Sequence, residues 1–214
     1  MENMIENILN EYERINKEYK KKQIEGEEFN VFHLINDIYG IGETKHSRFL
    51  AFLLNPKETH GKGNLFLKLF LEKLKIEFNE NETWEVFAEK GYADVLLKCK
   101  YPKKCIVVEN KSNEAVDQPN QLYRYWYNHI HTNVEEIDSE NPEKCRIIYL
   151  PEGKWKKYDL QSITKPNDWN PILPLKLDEK IIEHWSFLDE IREWLVECCS
   201  HDISYRIKCF IEDH

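Results

Sequence analysis

A chain of 214 residues with 41% hydrophobic and 13% aromatic content can bury a sizeable core, which excludes an intrinsically disordered protein. No apolar run approaches the roughly 18 residues of a membrane-spanning helix, and the charged start Met1-Glu2-Asn3-Met4 lacks the apolar stretch of a secretory signal, so no membrane partner and a cytoplasmic setting are expected. The net charge of −9 is unfavourable for a polyanionic partner, whose contacts would have to come from local Lys and Arg clusters, a bound metal or a second subunit.

In chain order, residues 1–25 place Met4, Ile5, Ile8, Leu9, Tyr12 and Ile15 among Glu and Lys, the pattern of an amphipathic helix. Residues 1–30 are therefore read as a helical appendage and 31–214 as the main domain. Within Glu43–Pro56, Phe49, Leu50, Leu53 and Leu54 form one helical stripe, and Pro56 stops the helix. Glu43 and His46 are three apart near its start, where a carboxylate complements the helix dipole. Gly61-Lys62-Gly63 separates this helix from a second one over 64–76.

Strands are expected over 84–89, 92–99 and 105–110, with Tyr101-Pro102-Lys103-Lys104 as the turn between the last two. In a strand, residues i and i+2 share a face, so Glu109 and Lys111 project together while Val108 and Asn110 point the other way. Asp94 precedes Glu109 by 109 − 94 = 15 residues, and pairing the two strands brings the acids side by side. Two adjacent carboxylates and an ammonium suit metal-dependent phosphodiester hydrolysis. The carboxylates hold Mg²⁺ or Mn²⁺, which lowers the pKa of a bound water, and the lysine neutralises charge developing on phosphoryl oxygens. The candidate metal ligands are Asp94, Glu109 and Asn110. Glu89, at the end of the strand over 84–89, is a weaker substitute.

Asp117-Gln118-Pro119-Asn120-Gln121-Leu122 reads as a helix start, with Asp117 as N-cap, Pro119 in the first turn and the helix running over 118–130. Gln121 and Tyr125 share a face four residues apart. Arg146–Leu150 is a strand that a right-handed crossover sets parallel to 105–110. An irregular stretch over 151–178 then leads to a helix over 186–199. Lysines cluster at 98, 100, 103 and 104 and at 154, 156 and 157, either group a candidate phosphate-binding rim. The six cysteines contain no Cys-x-x-Cys pair and are read as buried thiols.

Asp94, Glu109-Asn110-Lys111 and Gln121-x-x-x-Tyr125, in this order, resemble the PD-(D/E)XK nuclease superfamily, the last motif resembling the Q-x-x-x-Y extension of its exonuclease-like branch. Ala93 stands where the family name places proline, which makes Asp94 the looser of the two acid assignments. The resemblance reaches upstream to Glu43-Thr44-Lys45-His46-Ser47. It implies metal ligation by Asp94 and Glu109, a catalytic role for Lys111, Glu43 facing the metal, and substrate contacts from Gln121, Tyr125 and His46. It also implies a restriction-endonuclease-like α/β fold, a mixed central β-sheet flanked by helices in the order αβββαβ. Relatives with this pattern are commonly longer, and whether a C-terminal helix is missing here or supplied by another element is left open by the sequence.

The expectation is a Mg²⁺- or Mn²⁺-dependent nuclease acting on nucleic acid, DNA ahead of RNA. The alternative is a non-catalytic nucleic-acid- or protein-binding module that keeps the fold. A homo-oligomer or a partner subunit is left open.

Overall fold

The computed structural model describes residues 11–17, 43–112, 115–134 and 138–213. The chain divides into two units, residues 1–40 with 212–214 and residues 41–211. In the first, residues 11–17 are helical, and Arg14 pairs with Glu11 across one turn. The rest of the expected N-terminal helix, and the boundary near residue 30, lie outside the described residues.

The second unit is built on a five-stranded sheet in the order β1-β2-β3-β4-β5. Its strands are β1 (Trp84–Lys90), β2 (Ala93–Lys100), β3 (Lys103–Lys111), β4 (Cys145–Pro151) and β5 (Ile182–His184). The first three are antiparallel neighbours, whereas β4 and β5 run parallel to β3, with Cys105 opposite Cys145 and Glu109 opposite Tyr149. Strand β3 is buried along its whole length after Lys103. Its β-branched centre, Ile106-Val107-Val108, suits a position covered on both faces.

Helices α1 (Glu43–Leu54) and α2 (Leu65–Lys73) cover one face with α4 (Arg192–Ser200). The expected α1 stripe is buried, with Phe49, Leu50, Leu53 and Leu54 at 6%, 1%, 0% and 0% exposure, packed over Val95, Leu97, Ile106 and Val108. Fully burying a side chain of this size contributes about 1.5–3 kcal/mol. The other face carries α3 (Gln121–Tyr125), whose Leu122 and Tyr123 join Trp126 and Ile130 over Leu96, Val107, Ile147 and Tyr149. A further helix, α5 (Tyr205–Asp213), sets Phe210 with its ring centroid 5.1 Å from that of Phe49.

Three local expectations change. The helix over 118–130 is α-helical only from Gln121 to Tyr125 and continues as a π-helical segment over Trp126–His131. That widening accompanies two tertiary bonds, from Trp126 Nε1 to Ser139 O at 3.0 Å and from His129 Nε2 to Gly91 O at 2.9 Å. Asp117 is not the N-cap: Asn120 fills that position with a left-handed backbone, φ 59°, and the Asp117 carboxylate turns inward. Tyr92 leaves the strand. With Lys90 paired to Ala93, Gly91 and Tyr92 form a two-residue hairpin turn with φ of 61° and 69°, the positive values a type I′ turn requires at both positions.

Candidate active site

The β2–β3 ladder is regular as far as Val95 opposite Val108, and one step further places Asp94 across from Glu109. There the carboxylate of Asp94 replaces the ladder partner: its Oδ2 accepts the Asn110 backbone N–H at 2.7 Å. Asp94, Glu109 and Lys111 all border one cavity of about 540 Å³, walled on its other side by Gln118, Gln121, Arg124 and Tyr125.

Glu109 and Lys111 are 3% and 4% exposed, and Lys111 Nζ lies 2.8 Å from Glu109 Oε1. Gln121 binds this pair on both sides. Its amide nitrogen donates to Glu109 Oε1 at 2.7 Å and to Tyr125 Oη at 2.9 Å, while its oxygen accepts from Lys111 Nζ at 3.1 Å and from the Gln118 N–H at 3.3 Å. Both amide protons are used. Reversing the amide would set its NH₂ against the lysine and its oxygen against the carboxylate, so electrostatics fixes the orientation. Tyr125 donates onward to Tyr92 O at 2.8 Å. Burial first, then the negative charge of Glu109, pushes the Tyr125 phenol far up, which keeps it a protonated donor.

Glu109 Oε2 is buried and has no hydrogen-bond partner among the described residues. An orphaned carboxylate oxygen is costly, and a hard cation would satisfy it. No group of three or more His, Cys, Asp or Glu able to hold a metal occurs among the described residues. Mg²⁺ does not need such a cage, since it is commonly held by one or two carboxylates and keeps several waters. The Asp94 and Glu109 pair fits that cation.

The other expected residues fall as follows. The side chain of Asn110 turns to the opposite sheet face, donating to Ser47 Oγ at 3.1 Å and accepting the Ser112 N–H at 3.0 Å. His46 lies on that same face, with Nδ1 3.0 Å from Ser112 Oγ and its ring 5.5 Å from that of Phe187, outside the cavity lining. Glu43 opens α1, but its side chain lies outside the described residues. Glu89 pairs with Arg48 at 3.2 Å instead of lining the cavity. The lysines around 98–104 sit at the hairpin end of the sheet, away from Asp94 and Glu109, and Lys104 is consumed by Glu82 at 2.5 Å. In the second cluster, Lys154 pairs with Glu190 and Lys156 donates to Ala115 O at 2.5 Å. Of the six cysteines expected to be buried, Cys99, Cys105, Cys145 and Cys198 are, whereas Cys199 and Cys209 are half-buried; burial pushes Cys105 and Cys145 up to about 12.

Sequence reasoning missed Asp117 and Tyr149. Asp117 lies 3.9 Å from Lys111 Nζ as a second acid, with Tyr149 Oη donating to its Oδ1 at 3.0 Å and the Asp159 N–H to its Oδ2 at 2.7 Å. The signal for Tyr149 is its parallel register with Glu109, which puts both side chains on one face. No local signal marks Asp117, because a helix-start aspartate has the same appearance in sequence.

The family model of the PD-(D/E)XK nuclease superfamily matches residues 29–209. No curated protein and no solved structure matches the chain.

Proposed function

As the chain belongs to the PD-(D/E)XK nuclease superfamily, we propose that it is a metal-dependent nuclease that hydrolyses phosphodiester bonds, in DNA before RNA. The observation carrying this reading is the orphaned Glu109 Oε2 in a buried carboxylate–lysine cluster on the cavity wall. Asp94 and Glu109 hold Mg²⁺ or Mn²⁺, and any part Asn110 takes is through its main-chain carbonyl, because its side chain is engaged with Ser47 and Ser112. When bound, the cation supplies a water of lowered pKa and neutralises phosphoryl charge.

Lys111 holds the proton-rich side of the site, its ammonium aimed where the pentavalent phosphorus gathers negative charge. Gln121 keeps Glu109 and Lys111 in register, and together with the protonated Tyr125 it forms the wall that meets the phosphate. Glu43 is retained as an additional acid from α1. His46 is assigned a supporting substrate contact through the Ser112 segment. A cytoplasmic setting agrees with this chemistry, and among the described residues no helix is long and apolar enough to cross a membrane.

The test is incubation of purified protein with plasmid, linear duplex, single-stranded DNA and RNA, each with Mg²⁺, Mn²⁺ or EDTA. Cleavage that requires the metal and stops with EDTA supports the reading. Folded protein that binds nucleic acid but cleaves no substrate under any condition transfers it to a non-catalytic binding module.

A further inference from the structure

Tyr92 is 91% exposed, so its ring contributes nothing to the core, and yet its backbone holds a left-handed φ of 69° that a side chain disfavours. Glycine would fill the second position of this turn without strain. The conformation is enforced from below. Tyr125 Oη donates to Tyr92 O at 2.8 Å and His129 Nε2 to Gly91 O at 2.9 Å, so the helix that carries Gln121 clamps both carbonyls of the turn. The fit is close: a Cβ on Gly91 would lie 2.6 Å from His129 Cε1. The outcome is an aromatic side chain on an immobilised backbone at the border of the cavity that holds Asp94 and Glu109.

Strain of this kind at a cavity edge points from geometry to function. An exposed aromatic beside a phosphate site offers what an unpaired base needs, a flat apolar face at fixed distance from the backbone. A base within a continuous duplex is already stacked on both sides and cannot use it. We propose that Tyr92 is a stacking platform for an unpaired base next to the scissile phosphate, which makes single-stranded DNA, or a frayed DNA end, the substrate form this site takes. The inference rests on the proposed function for the identity of the ligand. Val116, also on the cavity border and 87% exposed, adds apolar surface to the rim. Arg124 on the same cavity wall supplies a cation for the strand's phosphates.

The experiment uses the full chain with a single-stranded DNA oligonucleotide carrying 2-aminopurine, whose fluorescence falls on stacking, with Ca²⁺ replacing Mg²⁺. Wild type and Tyr92→Phe should quench the probe, because the face and not the hydroxyl does the stacking. Tyr92→Gly should lose the quench and weaken binding about 5- to 160-fold, the range for one base–aromatic stack, while its melting temperature holds or rises as the backbone strain is relieved. Tyr92→Asn, which tolerates the left-handed backbone, repeats the measurement if the glycine variant unfolds. An internal 2-aminopurine in an intact duplex should not respond.

Quenching that is equal in Tyr92→Gly and wild type, or absent in wild type, overturns the proposal. Metal-dependent cleavage with a Tyr92-independent quench defeats the platform alone. A Tyr92-dependent quench without cleavage on any substrate defeats the catalytic reading and leaves the platform standing.

Discussion

Asp117 and Glu109 share Lys111 between them: Nζ lies 2.8 Å from Glu109 Oε1 and 3.9 Å from Asp117 Oδ1, with all three side chains at most 8% exposed. Two buried carboxylates around the amine hold the lysine in place, and Tyr149 and the Asp159 N–H hold Asp117 in turn. Lys111→Met should lower turnover by about 10²–10³, the effect of one well-placed charge-stabilising donor. It should also destabilise the fold by roughly 3–5 kcal/mol, because two buried carboxylates lose their cation. Adding Glu109→Gln should restore part of that stability in denaturant unfolding, and strict additivity would contradict the shared-charge arrangement. Asp117→Asn keeps the acceptor for Tyr149 and should cost less turnover than Lys111→Met.

Asp94→Ala and Glu109→Ala should each abolish cleavage. Calorimetric titration with Mn²⁺ should show the binding isotherm of the wild type lost in both variants. Binding of uncleaved nucleic acid should hold or tighten, since each substitution removes a negative charge from a phosphate site. Full Mn²⁺ affinity in Glu109→Ala would reject the assignment of its orphaned oxygen to the metal.

Gln121→Ala removes the amide that ties Glu109, Lys111 and Tyr125 together. Cleavage should slow while Mn²⁺ affinity changes little, because an amide bound to the carboxylate is not itself a ligand. Gln121→Glu should be worse, as it brings a second carboxylate against Glu109. An equal loss of metal affinity and rate in Gln121→Ala would place this residue on the metal instead.

Burial holds His129 below its ordinary pKa of 6.5, aided by the nearby Lys98 and Lys90 charges and opposed by its bond to Gly91 O. The folded state thus disfavours the imidazolium. Its contribution to stability is complete above pH 6.5 and is lost as the pH falls below that value toward the depressed folded pKa. The melting temperature of His129→Gln should therefore decline less than that of wild type between about pH 7.5 and 5, the span around an unperturbed histidine. Parallel melting curves would show that His129 does not titrate on unfolding in this range.

Periodicity and residue type alone located α1, the hairpin strands, the parallel strand β4 and the shared face of Glu109 and Lys111. Each depends only on a two- or 3.6-residue repeat of apolar side chains, which is written locally in the chain. The side on which Asn110 points was legible for the same reason. Other features depend on what lies across space. Asp117 looks like a helix cap until Tyr149, Asp159 and Lys111 surround it. The helix over 118–130 changes pitch at Trp126, where Ser139 and Gly91 offer bonds to its side chains. Tyr92 reads as a strand residue because a tyrosine seldom takes a left-handed turn, and the pairing of Lys90 with Ala93 and the bonds from Tyr125 and His129 to the turn's carbonyls hold it there. Local sequence sets propensity and facing, but a buried charge or a strained backbone is settled by partners dozens of residues away, which only the tertiary structure brings into contact.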